Sequence, residues 1–241
     1  MFDLFSDPVK VAQQLQIIFS EYGFATWETL YSLVLEVLFA YIVGLPLGVL
    51  LVTGEKEGIR PLPPLIMKMT NIVINLLRSV PFLILMIIAL PLSKLIVGTK
   101  VGTSATIPPM VIAAFPLVAR MVETSLREVN HGVIEAAQSM GASTWQIITK
   151  VLLPEALPSL ISGGTITVGT ILGYGAMAGI IGGGGLGKVA INYGYYRYNY
   201  PVMIIAVILL IIIVQIFQTV GTHLSVRCDK RITVKSKRRT K

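Results

Sequence analysis

A single cysteine, two histidines and two tryptophans are all that 241 residues contain of these types, and only 13% of the chain is charged. One thiol, Cys228, excludes an intramolecular disulfide and reads as a passive side chain. His131 and His223 stand alone, with no ligand spacing around them, so no metal site is expected. The few carboxylates are scattered, which leaves no acid–base cluster for a membrane enzyme. Residues 1–20 carry Asp3 and Asp7 and lack a basic stretch followed by an apolar core, so no cleavable secretory signal is expected. No segment shows the period-two alternation of barrel strands.

What fills the space is apolar. Hydrophobic residues make up 54% of the chain, and the mean hydropathy is +0.77. Runs of about 18–25 apolar residues are long enough to cross a hydrocarbon core of about 30 Å as helix. Backbone groups in lipid must be satisfied within the segment, so the expected class is an all-α integral membrane protein. Spans are expected at 29–52, 79–97, 106–122, 162–182 and 202–224, five crossings that put the termini on opposite sides.

The net charge of +8 does not point to nucleic acid, because eight of the twenty basic residues lie in one tail from Arg227 to Lys241. Beside a membrane span, such a tail is a topology signal and a contact for anionic lipid. One side collects Lys56, Arg60, Lys68, Arg120, Arg127, Lys150 and the tail; the other has Lys10, Lys94, Lys100, Lys188 and Arg197. Fourteen against five, with Arg78 at a span boundary, places the C-terminus in the cytoplasm and the N-terminus outside. The expected organisation is an external amphipathic segment at 1–26, a five-span domain at 27–224 and a basic cytoplasmic tail at 225–241. Gly44-Leu45-Pro46-Leu47-Gly48 in the first span is read as a kink or a packing groove.

Between the third and fourth spans, residues 123–159 are too polar for lipid and too regular for a linker. Val133 to Met140 is predicted to be a short helix closed by Gly141 in a left-handed cap. Ser143 with Gln146 three residues on predicts a second helix, ending before Pro154. Ala136, Ala137 and Gly141 keep one surface slim enough for a partner's groove, and Glu135 supplies a charge to fix register. The competing reading is an ordinary folded loop over the ends of the spans.

Glu135-Ala136-Ala137, three residues, Gly141, nine residues, Val151, one residue and Leu153-Pro154 resemble the signature loop of bacterial ABC-importer permeases, with Val in place of the commoner Ile. Within that superfamily the chain is similar to the methionine-importer permeases. The stretches that carry the likeness are Arg78-Ser79-Val80-Pro81-Phe82, Ala119-Arg120-Met121-Val122-Glu123, Lys150 through Pro158, and Gly183-Gly184-Gly185-Leu186-Gly187. The resemblance implies a type I importer permease fold in a bacterial inner membrane. It further implies a homodimer with the passage between its copies, and a coupling helix docked in each of two ATP-binding subunits. The coupling residues would be Glu135, Ala136, Ala137, Gly141, Ala142, Val151, Leu153 and Pro154. ATP and magnesium would belong to the partner subunit, and an external solute-binding protein or lipoprotein would deliver substrate. A permease for another amino acid, or a stand-alone channel whose flux persists without ATP, are the alternatives.

Candidate path residues are fewer and looser. Lys68, Asn71, Asn75 and Arg78 share one helical face, and Asn75 and Arg78 face either headgroups or a water-filled path. Glu36, ionisable within a span, is either a path residue or an interhelical hydrogen-bonding group. Tyr174 and Met177 flank either a passage or a packed interface. Gly182, Gly187 and Lys188 satisfy all but the last position of the phosphate-loop pattern, yet Val189 replaces the magnesium-holding hydroxyl and a membrane helix replaces the strand. The glycines are read as a sharp turn, followed by an aromatic belt at Tyr193, Tyr195, Tyr196, Tyr198 and Tyr200, a region open to the external binding protein.

Overall fold

The computed structural model describes residues 8–229, with side chains from Glu21 onward. Residues 1–7 and the basic run 230–241 lie outside the described residues. The described chain is helical: α1 (Pro8–Thr53), α2 (Pro64–Ser79), α3 (Phe82–Val97), α4 (Thr103–Arg127), α5 (His131–Ser139), α6 (Thr144–Ile147), α7 (Leu153–Ala178), α8 (Gly185–Val189) and α9 (Tyr200–Cys228).

Four long helices, at Glu21–Thr53, Thr103–Arg127, Thr144–Ile181 and Tyr200–Cys228, are apolar enough to cross a membrane. The fifth crossing is a bent pair. At 16 residues, α3 is about 24 Å long, short of the hydrocarbon core, and α2 precedes it at a bend of 109°. Pro81 causes the bend, because the residue before a proline is pushed out of helical backbone, and Val80 is extended (φ −76°, ψ 130°). Successive crossings reverse direction, so one end of the bundle gathers Thr53, Arg127, α5, α6 and Cys228 (the loop end). The other gathers Glu28, Thr103, Gly179–Ile181 and α8 (the glycine end).

The first helix departs from expectation. Among the described residues no break separates 8–26 from the first span: α1 runs 46 residues without interruption. Pro46 does not end it, since neighbouring helices in a membrane bundle tolerate the freed carbonyl. The glycines flanking Pro46 serve packing. A Cβ on Gly44 would stand 2.7 Å from Val118 Cβ, and one on Gly48 would stand 2.5 Å from Val122 Cβ and 2.7 Å from the Ala119 carbonyl oxygen. α1 and α4 thus meet backbone to backbone, the small-residue approach by which helices pack without a hydrophobic driving force. α4 is the central element: 50% of its most apolar stretch is buried, against 11% for α9.

Candidate functional site

At the loop end, Asn130 opens α5 by accepting the Gly132 N–H on its side chain at 2.8 Å. Gly141 closes the helix with φ +78°, as the sequence predicts. The Ala142 N–H donates to the Ala137 carbonyl (3.1 Å) and the Gly141 N–H to that of Gln138 (2.9 Å), the paired bonds of a left-handed helix stop. Ser143 then caps α6 through a reciprocal box with Gln146.

The second helix does not stop before Pro154. It passes through a π-helical turn at Ile148–Leu152 straight into α7, making one helix from Thr144 to Ile181. A proline in regular helix clashes with the carbonyl four residues back, here that of Lys150; the wider turn makes room for the ring, and Leu153 N–H reaches Ile148 instead. Much of the expected 123–159 loop is therefore helix, and the joints are short: 128–130 and 140–143.

The motif residues divide between two faces. Glu135, Ala136, Gly141 and Pro154 are exposed, whereas Ala137 is 4% exposed and packs inward beside Ile134. Ala137 thus holds α5 to the bundle and does not slim its outer surface. Ala142, Val151 and Leu153 are partly buried against the same core. Outside, Met140 and Trp145 stand 82% and 72% exposed, and Val133, two residues before Glu135, is exposed as well. The sequence reading passed over Met140 and Trp145; the signal was a large apolar side chain on each flank of the glycine turn.

The five candidate path residues do not converge. Glu36, on α1, is buried against α4 and α7, lining a small cavity of about 20 Å³ with Ser32, Thr106 and Gly175, room for a single water. Asn75 lies at the loop end and accepts from Arg120 at 2.9 Å. Arg78 is exposed at the end of α2. Tyr174 stacks on Phe82 with ring centroids 4.0 Å apart and planes 7° from parallel, pinning the start of α3 to α7. Met177 is half exposed on a face that α7 and the turn after it share with Ser162, Ile166, Gly173 and Ile180, all exposed among the described residues.

The glycine end answers the phosphate-loop pattern. Glu28 on α1 accepts from Gly185 N–H (2.8 Å) and from Thr103 Oγ1 (2.6 Å), and Thr29 Oγ1 accepts from Leu186 N–H (2.9 Å). The chain's own carboxylate sits where a phosphate would have to bind. Removing it in Glu28→Ala strands one amide and one hydroxyl. Hydrogen exchange at Gly185 is expected to speed by about 10- to 100-fold, as loss of a buried acceptor costs about 1–3 kcal/mol; unchanged protection would show that Glu28 does not hold the turn.

A family model described as binding-protein-dependent transport system inner membrane component matches residues 44–233. The probable D-methionine transport system permease protein MetI of Vibrio cholerae is 51% identical over 207 residues, covering 86% of this chain and 92% of that protein. The methionine import system permease protein MetP of Bacillus subtilis is 50% identical over 159 residues, 66% of this chain and 72% of that protein. Among solved structures, an inward facing form of the MetNI methionine ABC transporter aligns with a TM-score of 0.85 at 40% identity, over 88% of this chain and 98% of that one. An amino acid ABC transporter with histidines, 18% identical with a TM-score of 0.71, shares the fold. With five apolar crossings, a capped loop turn and likeness across most of its length, this chain belongs to the binding-protein-dependent transport system inner membrane components, the multi-pass permeases of ABC importers.

Proposed function

We propose that the protein is the passage-forming subunit of an ATP-driven methionine importer, working as a homodimer. The single observation that carries this reading is the outer surface of the coupling turn. Met140 and Trp145 are 82% and 72% exposed around a rigid, doubly capped glycine turn, beside the exposed charge of Glu135. Large apolar side chains held clear of the bundle at the turn between two helices are what a soluble partner's cleft would cover. The basic-residue asymmetry puts this turn in the cytoplasm, where an ATP-binding subunit resides.

Five crossings make a wall, and the uncovered face of α7 at Ser162, Ile166, Gly173 and Met177 suits a passage lined by two copies. ATP and magnesium act in the partner subunit. Closure of two such subunits carries both coupling turns together and switches the access of the passage. Methionine as the cargo follows the names of the relatives, and an external binding protein delivers it.

The test is mild-detergent purification of the tagged full chain from its native membrane, with quantitative mass spectrometry and uptake of radiolabelled L- and D-methionine. An equimolar ATP-binding subunit and ATP-dependent methionine uptake are expected. A homo-oligomer with no such subunit, passing solute without ATP, would replace the importer with a channel.

A further inference from the structure

Just before the coupling turn, α4 carries Arg120, Glu123 and Arg127, at spacings of three and four. Their side chains form one connected network with two other segments. Arg120 Nη1 donates to Glu123 Oε2 (2.5 Å), and its Nη2 donates to Asn71 Oδ1 (2.7 Å) and Asn75 Oδ1 (2.9 Å) on α2. Arg127 Nη2 donates to Glu123 Oε1 (2.8 Å) and to Glu55 Oε1 (2.5 Å), and Nη1 to Glu55 Oε2 (3.1 Å), two residues past the end of α1. The Glu123 side chain is only 10% exposed, so it is held chiefly by the two arginines and little by water.

Where the network sits gives it a use. Only three residues separate Arg127 from α5, so this turn of α4 is one of the two short connections by which a displacement of the coupling helix enters the bundle. At the other end, α2 is otherwise held by Ile74 and Met67 against Leu51 and Ala119, while Leu65, Ile66, Met69, Ile72, Val73 and Leu76 are exposed. α2 leads through the Pro81 bend to Phe82, which stacks on Tyr174 of α7. A guanidinium is suited to this junction, because its planar fork serves a carboxylate and two amide oxygens at once, as an ammonium on a flexible stem does not.

We propose that the Arg120–Glu123–Arg127 network is the strut by which movement of the coupling turn reaches α2 and, through Phe82, the α7 face; Arg120 is thus a positioning residue of the transport cycle. The inference rests on the importer reading above. The strut moves α2 and α4 as one body, so cutting it leaves the ATP-binding subunit docked and active while transport no longer follows.

The experiment uses the full chain with its co-purifying ATP-binding subunit and binding protein in liposomes, reading ATP hydrolysis and radiolabelled methionine uptake in the same vesicles. The paired change Asn71→Leu with Asn75→Leu severs α2 alone. Hydrolysis is expected to stay within about twofold, while methionine moved per ATP falls about tenfold or more. Arg120→Lys keeps the charge without the fork and is expected to fall in the same direction by less. In a Cys228→Ser chain, Asn75→Cys with Arg120→Cys is expected to lose coupling and regain it when a short bis-methanethiosulfonate linker, which displaces methanesulfinate at each thiol, joins the two positions.

An unchanged ratio of methionine to ATP in the severed chain would overturn the proposal. So would hydrolysis, complex recovery and uptake falling in proportion, which is the signature of a merely structural contact, or failure of the linker to restore coupling. A wild-type chain that brings down no ATP-binding subunit would instead remove the importer reading, and the strut with it.

Discussion

Gly141→Asp is expected to leave a folded, inserted chain that recovers no ATP-binding subunit and takes up no methionine. A Cβ at this position meets nothing within 4 Å, so the side chain does not clash inside the chain. Its backbone cost is the left-handed conformation at φ +78°, about 1–2 kcal/mol for an ordinary residue and less for Asp, which visits that region more readily. The large effect arises outside, where the new carboxylate points into whatever covers the turn. An unpaired charge trapped in an interface costs about 3–5 kcal/mol, a loss of affinity on the order of 100- to several-thousand-fold. Gly141→Ala bears the backbone strain alone and is expected to keep most of the complex. Co-purification and uptake of the two variants separate the causes: equal losses would put the defect in the turn, and wild-type uptake by the Asp variant would refute docking at this surface.

Gly48→Leu is expected to do the opposite, damaging the bundle and not the docking surface. Its Cβ would lie 2.7 Å from a backbone oxygen of α4, which cannot rotate away as a side chain can. The helices must separate along the α1–α4 seam. Overpacking costs about 1–3 kcal/mol, and contact with backbone puts this case at the upper end; at about 3 kcal/mol the unfolding midpoint of a chain this size falls by about 6–12 °C. Thermal unfolding of the purified chain in detergent measures it. Gly23→Ala, at another helical glycine with open space around its Cβ, is the control and should be neutral or mildly stabilising. Equal stability of the two variants would mean that α1 and α4 are not in backbone contact.

The crossings and the turn were legible in sequence because their signals are local. Apolar runs mark the spans, Gly141 marks the left-handed stop, and Ser143 with Gln146 spells its own cap. What depends on contact between distant segments was not legible. The candidate path set mixed Glu36, buried beside a small cavity, with Asn75, engaged by Arg120 from 45 residues away. Arg120, Glu123 and Arg127 were read as side markers or as part of a family likeness, since nothing in one stretch of chain reveals that Glu55 and two asparagines of α2 meet them. Ala137 was assigned outward with Ala136, although adjacent residues on a helix lie about 100° apart and cannot both face a partner squarely. Pro154 was read as a stop because regular helix leaves no room for it; a π-helical turn supplies that room, and its placement depends on packing.

The uninterrupted helix from Thr144 to Ile181 makes the second arm of the coupling turn and the α7 crossing a single lever. Thirty-eight residues of helix make a rod of about 57 Å, so a tilt of about 10° around its middle displaces each end by about 5 Å in opposite senses. A push on Trp145 at one end therefore tends to swing Met177 and Ile180 the opposite way, and the Phe82 contact at Tyr174, held through α2 by the strut, sets where the rod pivots. The wide turn at Ile148–Leu152 carries the helix past Pro154 without a break, so no loop separates the arm that meets the partner from the crossing that meets the solute.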